Sequence, residues 1–257
     1  MPMAPDKLDP NAVALFLDVD GTLLEIMNNP ADVSADAYLV GLLEACFKSL
    51  GGAMALVSGR SVAEVDRMFA PATFPVAGAH GAELRIDGGK IVTVAHDPLP
   101  EDALSPLQEL AAVHEGLLLE HKRGGVSLHY RRAPELESEC RELVTRVMAE
   151  LGDAFRLIAG KMVFEIAPGA YDKGAAIRTF LENPPFTGRI PVFLGDDVTD
   201  EDGFRVVNEL AGMSIRIGDI ERSAARYRLD DVAAVRPWLD HALLLHPQQQ
   251  HYGDTRS

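Results

Sequence analysis

Cysteine is almost missing from this chain: only Cys46 and Cys140 occur in 257 residues. Neither stands in a CxxC pair or beside a histidine at ligand spacing, which argues against a zinc centre or a disulfide-stapled fold. Both fall in helix-like stretches and read as small buried side chains suited to a reducing cytoplasm. Long apolar runs are lacking too. No segment approaches the ~18 residues of a membrane span, and the first ten residues hold no apolar stretch of the signal-peptide kind. A cytoplasmic protein with no membrane partner is expected. Positive charge is also scarce: 24 Lys and Arg face 39 Asp and Glu, a net charge of −15. Binding a nucleic-acid backbone needs clustered bases, none of which is present, so nucleic acid is not expected as a partner. An anionic ligand must be drawn by a metal and a few local bases, against the overall field.

What the chain does have is core-forming material. Hydrophobic residues make up 47% of it, enough for one large domain or two small ones. The stretch Ala14-Leu15-Phe16-Leu17 followed by Asp18-Val19-Asp20-Gly21-Thr22-Leu23 reads as a short buried strand that ends in a polar turn. Carboxylates one residue apart on extended backbone project to the same side and repel each other unless something positive lies between them. A hard cation such as Mg2+ meets that need with oxygen ligands. As a bare DxD pair, Asp18 and Asp20 serve equally well as caps of a turn and the helix after it.

A helix over Ala35 to Leu50, stopped by Gly51-Gly52, leads to a second buried strand, Ala53 to Val57, and then Ser58-Gly59-Arg60. Strand, helix and strand in this order predict a parallel sheet, whose ligands bind beyond the carboxyl ends of the strands. Ser58 belongs there, either as the N-cap of the helix Val62 to Phe69 or as a holder of a phosphate oxygen. His80, between Gly78 and Gly81, reads as structural. The pattern returns later: Lys173 sits at a helix start, where it opposes the macrodipole unless it reaches an anion. Ile190 to Leu194 forms another buried strand and ends in Gly195-Asp196-Asp197-Val198-Thr199-Asp200-Glu201-Asp202. Thr199 with Asp202 looks like a capping box. Asp196, the first residue past the strand, is the better metal candidate. A closing helix is expected from Pro237 to Leu245, and the tail from His246 is polar.

Between these halves the pattern changes. Ala103 to Glu115 and Glu135 to Leu151 read as helices, and each is followed by a hairpin: Leu117 to Lys122 with Val126 to Arg131, then Phe155 to Ala159 with Lys161 to Ala167, turning at Gly160. The order αββαββ predicts a small antiparallel sheet with both helices on one face, an α+β module inserted into the parallel-sheet domain. The expected division is residues 1–98 with 169–257 as the core and 99–168 as the insertion. Strand alternation gathers Glu120, Lys122, Ser127, His129, Arg131, Lys161 and Glu165 on the face away from the helices. That face is either solvated or suited to a polyhydroxylated ligand.

The order Asp18-Val19-Asp20-Gly21-Thr22, Ser58, Lys173, then Gly195-Asp196-Asp197 with Asp200 resembles the four motifs of haloacid dehalogenase-like (HAD) phosphatases. The insertion resembles their C2-type cap. Gly78-Ala79-His80-Gly81-Ala82-Glu83, Glu120-His121-Lys122, His129-Tyr130-Arg131 and Gly160 to Glu165 are similar to stretches of the trehalose-6-phosphate phosphatases among them. The resemblance implies an α/β, Rossmann-like HAD core with an αββαββ cap and Mg2+-dependent hydrolysis of a sugar phosphate through an aspartyl-phosphate. Asp18 would be the nucleophile and Asp20 the acid/base. The metal set would be Asp18, the carbonyl of Asp20, and Asp196, with Asp197 or Asp200 orienting metal-bound water. Ser58, Gly59, Arg60 and Lys173 would serve the phosphate, and Glu120, Lys122 and Glu165 the distal glucose. Rival expectations are a phosphatase of sucrose 6-phosphate or mannosyl-3-phosphoglycerate, or a non-catalytic sugar-phosphate-binding regulator. The sequence carries no signal of oligomeric state.

Overall fold

The structure, a computed structural model, describes residues 1–27, 33–87, 89–93, 99–122, 125–169, 171–219 and 222–244. The stretch Glu25 to Ser34, which with its Asn28-Asn29-Pro30 reads from sequence as a loop, lies partly outside these residues, as do Arg123-Gly124 of the first expected hairpin and the tail from His246. The chain opens with β1 (Val13–Leu17), α1 (Ala37–Ser49), β2 (Met54–Val57), α2 (Val62–Phe69), β3 (Val76–Gly78), β4 (Glu83–Arg85) and β5 (Val92–Thr93). It continues with α3 (Glu101–Val113), β6 (Leu118–Lys122), β7 (Gly125–His129), α4 (Glu137–Leu151), β8 (Phe155–Gly160) and β9 (Val163–Pro168). The last part holds α5 (Lys173–Leu181), β10 (Ile190–Gly195), α6 (Asp200–Glu209), β11 (Met213–Ile217), β12 (Tyr227–Leu229) and α7 (Val232–Leu243).

Eight strands form one sheet in the order β12-β11-β10-β1-β2-β3-β4-β5, parallel from β12 to β3. Its central strands β1, β2 and, past Ile190, β10 are buried on both faces, which is why they read as continuous apolar runs. Along β1, Val13, Leu15 and Leu17 join one apolar cluster with α1, α2 and α7, while Ala14 and Phe16 join a second with α5 and α6. Helices therefore cover both sides. The chain runs from β1 outward through β2 on one side and returns through β10 on the other, so the strand order reverses at β1. Ligands of such sheets bind in the crevice at that reversal, beyond the carboxyl ends.

The second sheet, β6-β7-β9-β8, is antiparallel throughout. Leu104, Leu107, Val126, Leu128, Cys140, Val144, Phe164 and Ile166 form its own core with α3 and α4. Both helices thus lie on the apolar face, as the alternation predicts. Its other face meets the carboxyl ends of the parallel strands. Among the described residues three ion pairs cross there: Lys161 to Asp196 at 2.9 Å, Glu165 to His80 at 3.2 Å and Arg156 to Asp202 at 2.7 Å.

Three local expectations are corrected. Thr199 makes no capping hydrogen bond with its side chain, since its backbone is already helical at φ −68° and ψ −19° where a cap needs extended backbone; the Asp202 carboxylate pairs with Arg156 and Arg205. The closing helix begins at Val232, five residues before Pro237, since Asp231 caps it by accepting from the Ala234 N–H and the apolar face starts upstream. Finally, the second hairpin turns at Lys161-Met162, with Met162 at φ 63°, so Lys161 stands in a turn at the sheet's end. Among the described residues, no helix is long and apolar enough to cross a membrane.

Candidate active site

β1 delivers Asp18 to the crevice, β2 delivers Ser58, β10 delivers Asp196, and the first turn of α5 delivers Lys173. Asp172 makes that last placement possible: its side chain accepts from the Ala175 N–H and caps α5, so the helix starts where its lysine can reach Asp18. The Lys173 ammonium donates to Oδ1 of Asp18 and to Oδ1 of Asp200, both at 2.7 Å. Asp200 spends its second oxygen on the N–H groups of Asp196 (2.9 Å) and Asp197 (2.8 Å). It therefore shapes the loop that carries Asp196. Gly21, at φ 86°, passes so close that a Cβ there would lie 2.2 Å from Oδ2 of Asp196, which explains the glycine after the second aspartate.

Carboxyl oxygens of Asp18, Asp196 and Asp200 all lie within 4.8 Å of one another. Oδ2 of Asp18 and Oδ1 of Asp196 are buried without a hydrogen-bond partner, although buried polar atoms are nearly always paired. Burial pushes the Asp18 carboxyl well above its usual pKa; Lys173 opposes this, while Asp200 and Asp196 add to it. Asp196 is raised as well, first by burial, against the hydrogen bond from Lys161. Burial alone would lower the Lys173 pKa, yet Asp18 and Asp200 hold it above its ordinary value, so this lysine stays charged at neutral pH. Two partnerless oxygens on crowded, desolvated carboxyls are what a hard divalent cation relieves, and the donor set fits one.

The remaining predicted residues are placed as follows. Asp20 turns away from the cluster and forms a two-point pair with Arg60, Nε to Oδ2 at 2.6 Å and Nη2 to Oδ1 at 2.7 Å. Asp197 also stands apart, accepting from the Val198 N–H. Ser58 is buried, and its hydroxyl accepts from the Arg60 N–H at 3.1 Å. It does not cap α2, because Ser61 does, in a capping box with Glu64. The N-cap reading of Ser58 is therefore corrected: that place belongs to Ser61. On the second sheet Glu120 bonds His129 at 2.8 Å. Glu165 is buried between Ser127 and His80. Lys122 closes β6, and its side chain lies outside the described residues. Lys161, read from sequence only as one member of a polar face, reaches Asp196; the signal for it was a lysine at a hairpin tip, which register alone does not aim.

Comparison with known proteins bears on the family and the fold. The family model described as trehalose-phosphatase matches residues 16–233. A probable trehalose-phosphate phosphatase of Sinorhizobium fredii is 44% identical over 205 residues, which are 80% of this chain and 77% of that protein. The trehalose-6-phosphate phosphatase of Escherichia coli is 42% identical over 228 residues, 88% of this chain and 85% of its own. Among solved structures, the C-terminal domain of the Candida albicans trehalose-6-phosphate phosphatase superposes with a TM-score of 0.79 over 90% of this chain and 92% of that one, at 20% identity. At that identity it speaks for the fold.

Proposed function

Since the chain belongs to the trehalose-phosphatase family, we propose that its buried acidic cluster hydrolyses trehalose 6-phosphate in two steps that both run on Asp18. The overall reaction is hydrolysis of trehalose 6-phosphate to trehalose and phosphate. In the first step an Asp18 oxygen bonds to phosphorus as the bond to the sugar oxygen breaks, splitting one difficult displacement into two easier ones. Asp20 gives its proton to the departing sugar oxygen and later takes one from the water that opens the aspartyl-phosphate. To do so it has to turn from Arg60 towards the reacting oxygen. Ser58, Gly59, Arg60 and Lys173 hold the phosphate oxygens. Mg2+ would be held by Asp18, Asp196 and the Asp20 carbonyl, and would offset the repulsion between the nucleophile and the phosphate dianion. Asp200 holds the Asp196 loop in shape.

Residues 99–168 act as a cap over a core made of 1–98 and 169–257. Glu120, Lys122 and Glu165 on its polar face bind hydroxyls of the distal glucose, so that closure makes chemistry conditional on the right sugar. A cytoplasmic setting suits the two free buried cysteines. The acidic surface leaves a small sugar phosphate, and not nucleic acid, as the natural partner.

The buried set of Asp18, Lys173, Asp196 and Asp200 with its two partnerless oxygens supports this reading most strongly. The test is phosphate release from trehalose 6-phosphate, glucose 6-phosphate, sucrose 6-phosphate and mannosyl-3-phosphoglycerate, with and without a chelator. Preferential, chelator-sensitive turnover of trehalose 6-phosphate is expected. Preference for another of these substrates would redirect the cap assignment, and no release from any of them would leave a sugar-phosphate-binding regulator.

A further inference from the structure

The chemistry above gives His80 no task, yet its setting is costly. Ala79 and His80 have φ of 47° and 56°, in the left-handed region that costs a non-glycine residue about 1–2 kcal/mol. Such strain persists only where the surroundings over-determine it. Here the surroundings are the phosphate loop. The Ala79 N–H donates to the Arg60 carbonyl at 2.8 Å and the His80 N–H to the Ser58 carbonyl at 3.0 Å. The imidazole lies against the same loop, since a Cβ on Gly59 would come within 2.7 Å of its ring. Only glycine between Ser58 and Arg60 leaves it room.

The ring then reaches across to the second sheet. Its Nε2 is 3.2 Å from Oε1 of Glu165 on β9, and Oε2 of Glu165 accepts from the Ser127 hydroxyl on β7 at 3.1 Å. His80 is 8% exposed, and its Nδ1 is buried without a protein partner. One side chain thus joins the backbone that cradles the phosphate to the carboxylate assigned to the sugar.

We infer that His80 is a positioning residue, a strut that sets Glu165 of the cap at a fixed distance from the Ser58–Arg60 phosphate loop. This rests on the cap reading given above. A disaccharide 6-phosphate has a defined span between its phosphate and its distal hydroxyls. A rigid link between the groups that hold the two ends favours that span, and an aryl phosphate, which has no distal hydroxyls, makes no use of it.

The measurement is a selectivity ratio: kcat/KM for trehalose 6-phosphate divided by kcat/KM for p-nitrophenyl phosphate, on the full chain with Mg2+. The variants are His80→Asn, Glu165→Gln and the two combined. Asparagine tolerates left-handed backbone but is too short to reach Glu165. Each single change is expected to lower the ratio about tenfold, the scale of one hydrogen bond to a charged group, chiefly through KM for the sugar phosphate. The double variant should fall no further, because the pair acts as a unit. His80→Gln, whose amide can donate to Glu165, should recover part of the loss. Additive losses, or equal losses on both substrates, overturn the inference and leave His80 a structural residue. If Glu165→Gln lowers the ratio and His80→Asn does not, the strut fails while the cap reading survives. If Glu165→Gln leaves the ratio unmoved, both fall. Should His80→Asn not fold, Gly59→Ala displaces the ring without removing it, and an unmoved ratio there is equally fatal.

Discussion

Asp18 is asked to be both buried and ionised, and the residues around it show how that conflict is met. Desolvation favours its protonated form, and one ammonium shared with Asp200 opposes this only in part. A nucleophilic carboxylate at neutral pH therefore depends on further positive charge at its partnerless oxygen, which is the electrostatic case for a cation at this position. Asp18→Asn should lower kcat for trehalose 6-phosphate by about 10^3-fold or more, the scale of losing a nucleophile, while the variant still binds the substrate in calorimetry. Near-normal turnover would remove Asp18 from its role. At this scale the sequence was legible where a residue stands directly after an apolar strand, as Asp18, Ser58 and Asp196 do. It was not legible for Asp200, whose acid type fitted metal binding, helix capping and dipole neutralisation alike. Only its partners, Lys173 and two backbone N–H groups, show that it shapes the loop.

Helix ends illustrate the same ambiguity one level up. Ser61 and Glu64 form a reciprocal capping box at the start of α2, and Glu83 adds a carboxylate to the Val62 N–H at 2.8 Å. That start follows directly on Ser58-Gly59-Arg60, so its order matters to the loop proposed to hold the phosphate. Ser61→Ala should lower unfolding stability in a urea titration by about 1 kcal/mol, the usual worth of an N-cap. No measurable change would mean that Glu83 alone satisfies the helix start. The sequence offers several serines, threonines and acids at cap spacing, and competition among acceptors chose between them. At α6 the same spacing of Thr199 and Asp202 comes to nothing, because Thr199 already has helical backbone and arginines from β8 and from the helix itself take the Asp202 carboxylate. Pro237 misled for a related reason. A proline is best tolerated in a first turn, but it is carried inside α7 because the cap at Asp231 and the apolar face on either side outweigh one missing hydrogen bond.

Across the whole molecule, ion pairs join the polar side of the second sheet to the carboxyl ends of the parallel strands and the loops that follow them. Lys161, Glu165 and Arg156 come from one side and Asp196, His80 and Asp202 from the other. Asp196 is thus contested between a lysine of the inserted module and the cation that the crevice suits. A ligand that binds only the folded state at 100 times its Kd adds about 2.7 kcal/mol, which for a chain of this size is roughly 5–10 °C in Tm. Saturating Mg2+ should raise the thermal midpoint by that order, and Asp196→Asn should abolish the rise. A wild-type midpoint that ignores Mg2+ and Mn2+ alike would count against the cation site.

The sequence by itself determined the alternation of apolar strands and helices, the antiparallel insertion between the two halves, and the residue types waiting at the strand ends. These are local properties: side-chain period, glycine stops and the cost of burying charge are all written within a few neighbours. What only the tertiary structure decided is which of those residues face one another. Asp18 and Lys173 are 155 positions apart and Lys161 and Asp196 are 35 apart, and the pairing of His80 with Glu165 spans both sheets. Such contacts follow from how the sheets stack and close, and no local periodicity encodes that.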